Sequence, residues 1–215
     1  FATNNNDNGD ESGSTISAIA RVNTDGSGIY LKAEYNPSDF YTENADGTIV
    51  LNKEAWGGKV WGTPGISSIQ HVQMMQLAKE MGLNWEKYNG GAKDPNTMYY
   101  VETISNYDAA INRNAEILDG GILWEPQYTM IASSEIYQPF LLTNDLFPGH
   151  TCCVVAGLDS YMEANPEVTV AFLAAYKQAV DYINAALADK SSAEYQRLIE
   201  ICITYTTGLT EEQIV

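Results

Sequence analysis

From Ile16 to Tyr35 the chain is apolar around one polar break, Asn23-Thr24-Asp25-Gly26-Ser27-Gly28. This pattern predicts strands over Ile16–Val22 and Ile29–Lys32 with a glycine-rich turn between them. Asn36–Gly47 is polar and carries Pro37 and Asp46-Gly47, the marks of an excursion. Lys59–Thr63 predicts a short strand, broken by Pro64-Gly65. Ser67-Ser68 then opens a helix. Ile69, Val72, Met75 and Ala78 recur at helical spacing, with Met74, Leu77 and Met81 beside them, and Gly82 ends the run. Met98–Ile104 predicts a second strand, Tyr107–Ile117 a second helix, and Ile122–Trp124 a third strand stopped by Glu125-Pro126. The β-α-β-α-β order implies a mostly parallel sheet that holds these three strands, with covering helices. Thr151–Ala156 is a further apolar strand. Asn165-Pro166-Glu167 starts a helix with the stripe Val168, Phe172, Ala175, Ala179, Ile183 and Ala186. Another helix spans about 192–205 and Gly208 closes it. Thr210-Glu211-Glu212-Gln213 has capping-box spacing one turn from the end of the chain.

Charge narrows the function classes. Eleven Lys+Arg stand against 28 Asp+Glu, a formal net charge of −17. An electrostatic grip on nucleic acid or an anionic membrane needs clustered basic residues, so neither partner is expected. No apolar run approaches the roughly 18–20 residues of a spanning helix. The chain begins at Phe1, and we expect it to be a segment of a longer protein. Cys152, Cys153 and Cys202 cannot build a disulfide framework. Their plainest reading is as small core hydrophobes. On a strand, Cys152 and Cys153 are expected to point to opposite sides and to stay unbridged. Neither His71 nor His150 has zinc-ligand spacing to a cysteine, so no metal site and no cofactor are expected.

Four places carry candidate chemistry. Thr63-Pro64-Gly65-Ile66-Ser67-Ser68 is a strand-to-helix turn whose N–H groups and hydroxyls suit an anion or a carbonyl oxygen. The alternative there is that Ser67 or Ser68 only caps the helix. Leu123-Trp124-Glu125-Pro126 ends a parallel strand, where ligands of open α/β sheets collect. Trp124 offers a stacking face and Glu125 an acceptor, against a core Trp and a solvated Glu. His150, in Phe147-Pro148-Gly149-His150-Thr151, and Ser27, in Asp25-Gly26-Ser27-Gly28, complete the set; loop structure alone accounts for both. No nucleophile with its base and orienting group is legible.

Taken in order, these pieces resemble a known family. Trp56–Val60 with Pro64–His71, Asp119–Pro126, Pro148–Val155 and Asn165–Leu173 are similar to motifs of ABC-transporter substrate-binding proteins. The group is the nitrate/sulfonate/taurine and thiamine-precursor set, with the periplasmic-binding-protein-like (type 2) fold. The resemblance implies an α/β, two-lobed protein binding a small polar molecule between its lobes, here with one lobe nearly complete. Residues 1–15 would be a polar loop or disordered lead-in, and 16–55 part of lobe 1 with the first crossover. Residues 56–150 would form lobe 2, and 151–215 the return crossover and lobe 1 helices. It further implies an extracytoplasmic receptor, in some members lipid-anchored, that delivers its ligand to an ABC permease and is not an enzyme. The ligand-binding residues would be Ser27, Pro64, Gly65, Ile66, Ser67, Ser68, Trp124, Glu125 and His150. Glu125 beside the serines favours a ligand with an amine-bearing end, amino-sulfonate-like or aminopyrimidine-like, over nitrate. The alternatives are a pyrimidine-precursor-synthesis enzyme of the same fold and a ligand-sensing module of a regulator.

Overall fold

A computed structural model describes residues 15–103, 111 and 113–205. The chain divides into two compact units, residues 23–153 and residues 1–22 with 154–215.

The unit of residues 23–153 is built on a six-stranded sheet. In chain order the strands are β2 (Ser27–Lys32), β5 (Val60–Thr63), β6 (Asn84–Lys87), β7 (Thr97–Glu102), β8 (Gly120–Trp124) and β9 (Tyr137–Leu142). They lie in the spatial order β6-β7-β5-β8-β2-β9. β6, β7, β5 and β8 are parallel neighbours, and for β5, β7 and β8 this is the arrangement that the strand–helix alternation predicts. β2 then runs antiparallel to both β8 and β9. Between β2 and β5 stands a two-stranded hairpin, β3 (Tyr41–Glu43) with β4 (Ile49–Leu51). The helices are α1 (Lys53–Trp56), α2 (Ile69–Glu80), α3 (Gln127–Ala132) and α4 (Thr143–Leu146).

Strand alternation sorts two cores. Ile29 and Leu31 of β2 join Trp56, Trp61, Met74, Leu77, Met98 and Ile122 on one face of the sheet. Tyr30, between them, turns to the other face with Ile111, Leu123, Tyr128, Ile131 and Tyr137. Trp56 stacks on Trp61 at 4.4 Å and donates its indole N–H to the Phe40 carbonyl. Glycine is required where Tyr30 crosses the sheet: a Cβ on Gly121 would lie 2.1 Å from the Tyr30 hydroxyl, and one on Gly62 2.7 Å. At the N-terminal end of β8, buried Asp119 accepts from the Val60 N–H (2.8 Å) and the Tyr35 hydroxyl (2.5 Å). Lys93 and Lys59 stand 3.2 and 3.8 Å from its carboxylate.

The other unit takes most of β1 (Ile16–Thr24) and β10 (Thr151–Leu158), which pair as a two-stranded sheet. Three helices follow, α5 (Asp159–Ala164), α6 (Pro166–Ala188) and α7 (Ala193–Tyr205). Pro166 opens α6, while the Asn165 side chain donates to the Tyr161 carbonyl rather than capping the helix. The stripe of α6 does not form a core: Val168, Phe172 and Ile183 are exposed, and only Ala186 is buried, against Tyr195 and Ile199 of α7. Among the described residues no helix is long and apolar enough to cross a membrane.

The expected grouping of residues 16–55 with 151–215 differs from these units. β2 is apolar or small up to its terminal Lys32 and is buried between β8 and β9, which binds residues 23–55 to the larger sheet. β6 and β9 are additional strands that periodicity leaves unassigned, one polar and one carrying Pro139. Residues 107–110 and 112 of the expected helix at Tyr107–Ile117, and the Thr210–Gln213 capping box, lie outside the described residues.

Candidate functional site

The C-terminal ends of β5 and β8 open into a cavity of about 690 Å³ lined by Pro64, Gly65, Ser67, Ser68, Ile69, Gln70, Val72, Trp124, Cys152 and Cys153. Strand ends of this kind are where open α/β sheets take ligands. A second cavity of about 740 Å³ lies between the β3–β4 hairpin, the C-terminal end of α2 and α4. It is slightly larger but contains none of the strand-end groups, so the first is the better candidate.

Ser68 is the helix N-cap: its hydroxyl accepts from the His71 N–H (3.1 Å) and donates to the Gly65 carbonyl (2.7 Å). At that residue the capping alternative holds, and the hydroxyl is spent on the fold. Ser67 is exposed and lines the cavity. Ile66, 62% exposed, stands outside the lining. Trp124, half-buried, presents the one aromatic side chain of the lining.

The turn is pinned from behind by His71. The indole N–H of Trp85 donates to His71 Nε2 at 3.1 Å, which leaves the proton on Nδ1, aimed at Thr63 Oγ1, also at 3.1 Å. Thr63 in turn receives two hydrogen bonds on its carbonyl from Thr103. The ring also packs edge-on against Tyr100, with centroids 4.6 Å apart. His71 is 6% exposed, and burial holds its pKa below the ordinary histidine value, with Glu102 pulling partly the other way. Glu102 is held below the usual carboxylate range, first by its hydrogen bond from Lys87 and in smaller part by the Ile66 N–H and His71.

Three expected ligand residues sit elsewhere. The Glu125 carboxylate accepts from the Thr129 N–H (3.2 Å) and hydroxyl (3.0 Å) at the start of α3 and does not line the cavity. An unpaired carboxylate one turn before a helix satisfies the free N–H groups of that helix, which turns it away from the strand end. The His150 ring spans the Phe147 carbonyl (2.9 Å) and Thr143 Oγ1 (3.4 Å), and its own carbonyl accepts from Asp25. It closes the loop before β10. Ser27 is buried behind the lining and accepts from Gln70 Nε2 at 2.8 Å.

Gln70, Cys152 and Cys153 line the cavity without having been singled out as ligand residues. Gln70 is 1% exposed, and its amide nitrogen also stands 3.7 Å from Cys152 Sγ. A glutamine inside an apolar helical stripe was the available signal. The cysteines are not core residues: Cys153 is exposed, and Cys152 and Cys202 are partly so, all three free. Nor do Cys152 and Cys153 diverge, since both line the cavity with their sulfurs 3.9 Å apart. Adjacent Cβ atoms do point apart on a strand, but rotation about χ1 lets both sulfurs lean to one side. Among the described residues no group of three or more His, Cys, Asp or Glu could hold a metal ion.

A model of the NMT1-like family matches residues 5–198. Three solved structures are similar over nearly the whole chain. One is the ligand-binding component of an ABC-type import system from Staphylococcus aureus, determined with zinc bound. It has 16% identity and a TM-score of 0.63, covering 95% of this chain and 59% of that one. Another is the periplasmic nitrate-binding protein NrtA from Synechocystis PCC 6803, with 17% identity and a TM-score of 0.61, over 96% and 49% of the two chains. The third is the periplasmic aliphatic sulphonate binding protein SsuA from Escherichia coli, with 13% identity and a TM-score of 0.60, over 93% and 54%. The fold is therefore the α/β fold of periplasmic binding proteins, and the chain spans about half to three-fifths of the length of these structures. Among curated proteins nothing matches the chain.

Proposed function

The chain belongs to the NMT1-like family, and on that footing we propose that it acts as the extracytoplasmic solute-binding part of an ABC importer, a receptor and not an enzyme. It would hand a small molecule to a membrane permease. The structural neighbours named for ABC import and for periplasmic binding support the assignment.

The observation that carries the ligand class is the lining of the 690 Å³ cavity. Among the described residues it contains no charged side chain, and Trp124 stands at its wall with Gln70 and Ser67 as polar groups. The cavity stands open to water, so an anion there keeps part of its hydration, but it meets no cation among the described residues, and the N-terminus of α2 supplies only about 0.3–1 kcal/mol. A neutral, planar, polar solute stacked on Trp124 and hydrogen-bonded by Gln70 and Ser67 suits this lining better. Of the two classes raised by the sequence, this reading favours the aminopyrimidine-like one over the sulfonate-like one. Glu125 no longer supplies the reason for an amine.

A thermal-shift panel on the full chain tests this. Neutral aminopyrimidines are expected to raise Tm, and Trp124→Ala to abolish the rise. If nitrate or aliphatic sulphonates stabilise the protein while every neutral planar solute fails, the assignment of ligand class is wrong.

A further inference from the structure

Two thiols side by side on one wall of a cavity have a chemistry that neither has alone. Cys152 and Cys153 have their sulfurs 3.9 Å apart, Cys153 is exposed, and Gln70 presents its amide nitrogen 3.7 Å from Cys152 Sγ. The gap decides what can join the sulfurs. A disulfide needs S–S near 2.05 Å, so the sulfurs would have to close by about 1.9 Å, and adjacent Cα atoms at about 3.8 Å lie inside the usual 4.4 Å minimum. One bridging atom with bonds of about 2.3 Å to each sulfur, the length typical of a zinc–thiolate bond, spans the gap at an angle of about 115° without moving either residue. That angle suits a bent, two-sulfur chelate rather than a linear one.

We propose that Cys152 and Cys153 form a vicinal dithiol site in the cavity wall that captures a single three-coordinate thiophilic centre, for which a trivalent organoarsenical is the probe. The step is a condensation without change of oxidation state. Phenylarsine oxide breaks its arsenic–oxygen bonds, two arsenic–sulfur bonds form, and the oxygen leaves as water with both thiol protons. The proposal does not depend on which solute the cavity binds. Cys153 reacts poorly with reagents that need a thiolate: partial burial of its sulfur, and then the neighbouring Cys152, push its thiol up. The two reagents therefore separate a dithiol site from an ordinary reactive cysteine.

The test is intact-mass spectrometry of the folded full chain after brief exposure to one equivalent of phenylarsine oxide and removal of excess reagent. Wild type and Cys202→Ser are expected to carry one arsenical each, released by a small dithiol but not by a monothiol. Cys152→Ser and Cys153→Ser, confirmed folded by circular dichroism, are expected to retain it at least tenfold less. With iodoacetamide at pH 7, Cys153 should alkylate more slowly than a free cysteine. An unlabelled wild type, loss of capture in Cys202→Ser, or equal capture by the single-thiol variants would each overturn the proposal.

Discussion

His71 is the residue through which the cavity turn can be perturbed with a calculable outcome. His71→Leu keeps an apolar body of similar size and removes both ring contacts. Thr63 Oγ1 is fully buried and loses its 3.1 Å partner; the Trp85 indole N–H, half-buried, loses its own. A stranded buried group costs about 1–3 kcal/mol and a half-exposed one less, so the variant should be about 2–4 kcal/mol less stable. For a chain of this size that is roughly 4–16 °C in Tm. The pH dependence gives a second, sharper reading. Because the folded-state pKa of His71 is lowered, the unfolded chain binds the proton first as pH falls. The stability contributed by His71 is then fully present above its unfolded value of about 6.5. It erodes as pH falls from there toward the lowered folded value, below which both states are protonated and the loss is complete. Glu102, lowered in the folded state, loses its own contribution only below the ordinary carboxylate range. The Tm gap between wild type and His71→Leu, followed by differential scanning fluorimetry, should therefore narrow from pH 7.5 to pH 5. A gap that stays constant over that window, or a variant melting within about 1 °C of wild type at pH 7.5, would refute the staple.

Other substitutions have equally definite outcomes. The Tyr30 hydroxyl is buried with no hydrogen-bond partner, so Tyr30→Phe should stabilise the protein by about 1 kcal/mol in urea denaturation, and a loss of stability would contradict this. Gly121→Ala should cost about 3 kcal/mol or more, because its Cβ meets Tyr30 Cζ at 2.4 Å and the Gly62 carbonyl at 2.7 Å as well as the hydroxyl. For the same reason Tyr30→Phe should not rescue it, which the double variant tests directly. Glu125→Gln should leave solute Kd within about twofold of wild type by calorimetry, since Glu125 bonds Thr129 and not the cavity; a tenfold change would place it in the site.

The legible part of the fold is the part that repeats simple patterns. The parallel trio β5, β7 and β8 follows from the spacing of Val60, Met98 and Ile122 segments around a helix of regular period. The helix start at Ser68 and the Pro166 opening of α6 are local signals and were read correctly. What escaped depends on contacts distant in sequence. β2 belongs to the larger sheet because Tyr30 finds glycine at positions 62 and 121, a fit that no local window contains. β9 pairs with β2 across more than a hundred residues, with a register shift at Ile29/Tyr30 that passes over Phe140 and sets Pro139 opposite Tyr30. At the candidate site, residue type picked out a turn that lines the cavity but not the direction of the side chains around it. Glu125 and His150 carry groups that suit a ligand, and each is claimed by backbone groups within a few residues of its own position. Gln70 was missed for the opposite reason: it looks like an interruption of an apolar stripe until Ser27 and Cys152 are brought to it.

The charge of the whole chain and the neutrality of the cavity point the same way. With a net charge of −17, the protein sets up a negative field that lowers the local concentration of anions, and at physiological salt the field persists over about 8 Å. A receptor for an anion in such a field needs a basic side chain or a set of free backbone N–H groups at the site to reverse the local sign. Here Lys87 is spent on Glu102 at 2.9 Å, and Glu102 itself takes part of the N–H potential of the turn through Ile66. The backbone donors that a phosphate-like or nitrate-like ligand would use are thus partly neutralised from behind, and Ser68 caps its own helix. The groups remaining to the solute are a ring, an amide, a hydroxyl and two thiols. On the proposed reading, selectivity comes from the fit of a flat face to Trp124 and the pairing of a few neutral donors and acceptors. Placing one lysine there should test the reasoning: Ser67→Lys is expected to raise affinity for nitrate or sulphonate in the thermal-shift panel while weakening neutral planar solutes. If the variant gains nothing toward anions, the neutrality of the cavity is not what sets its preference.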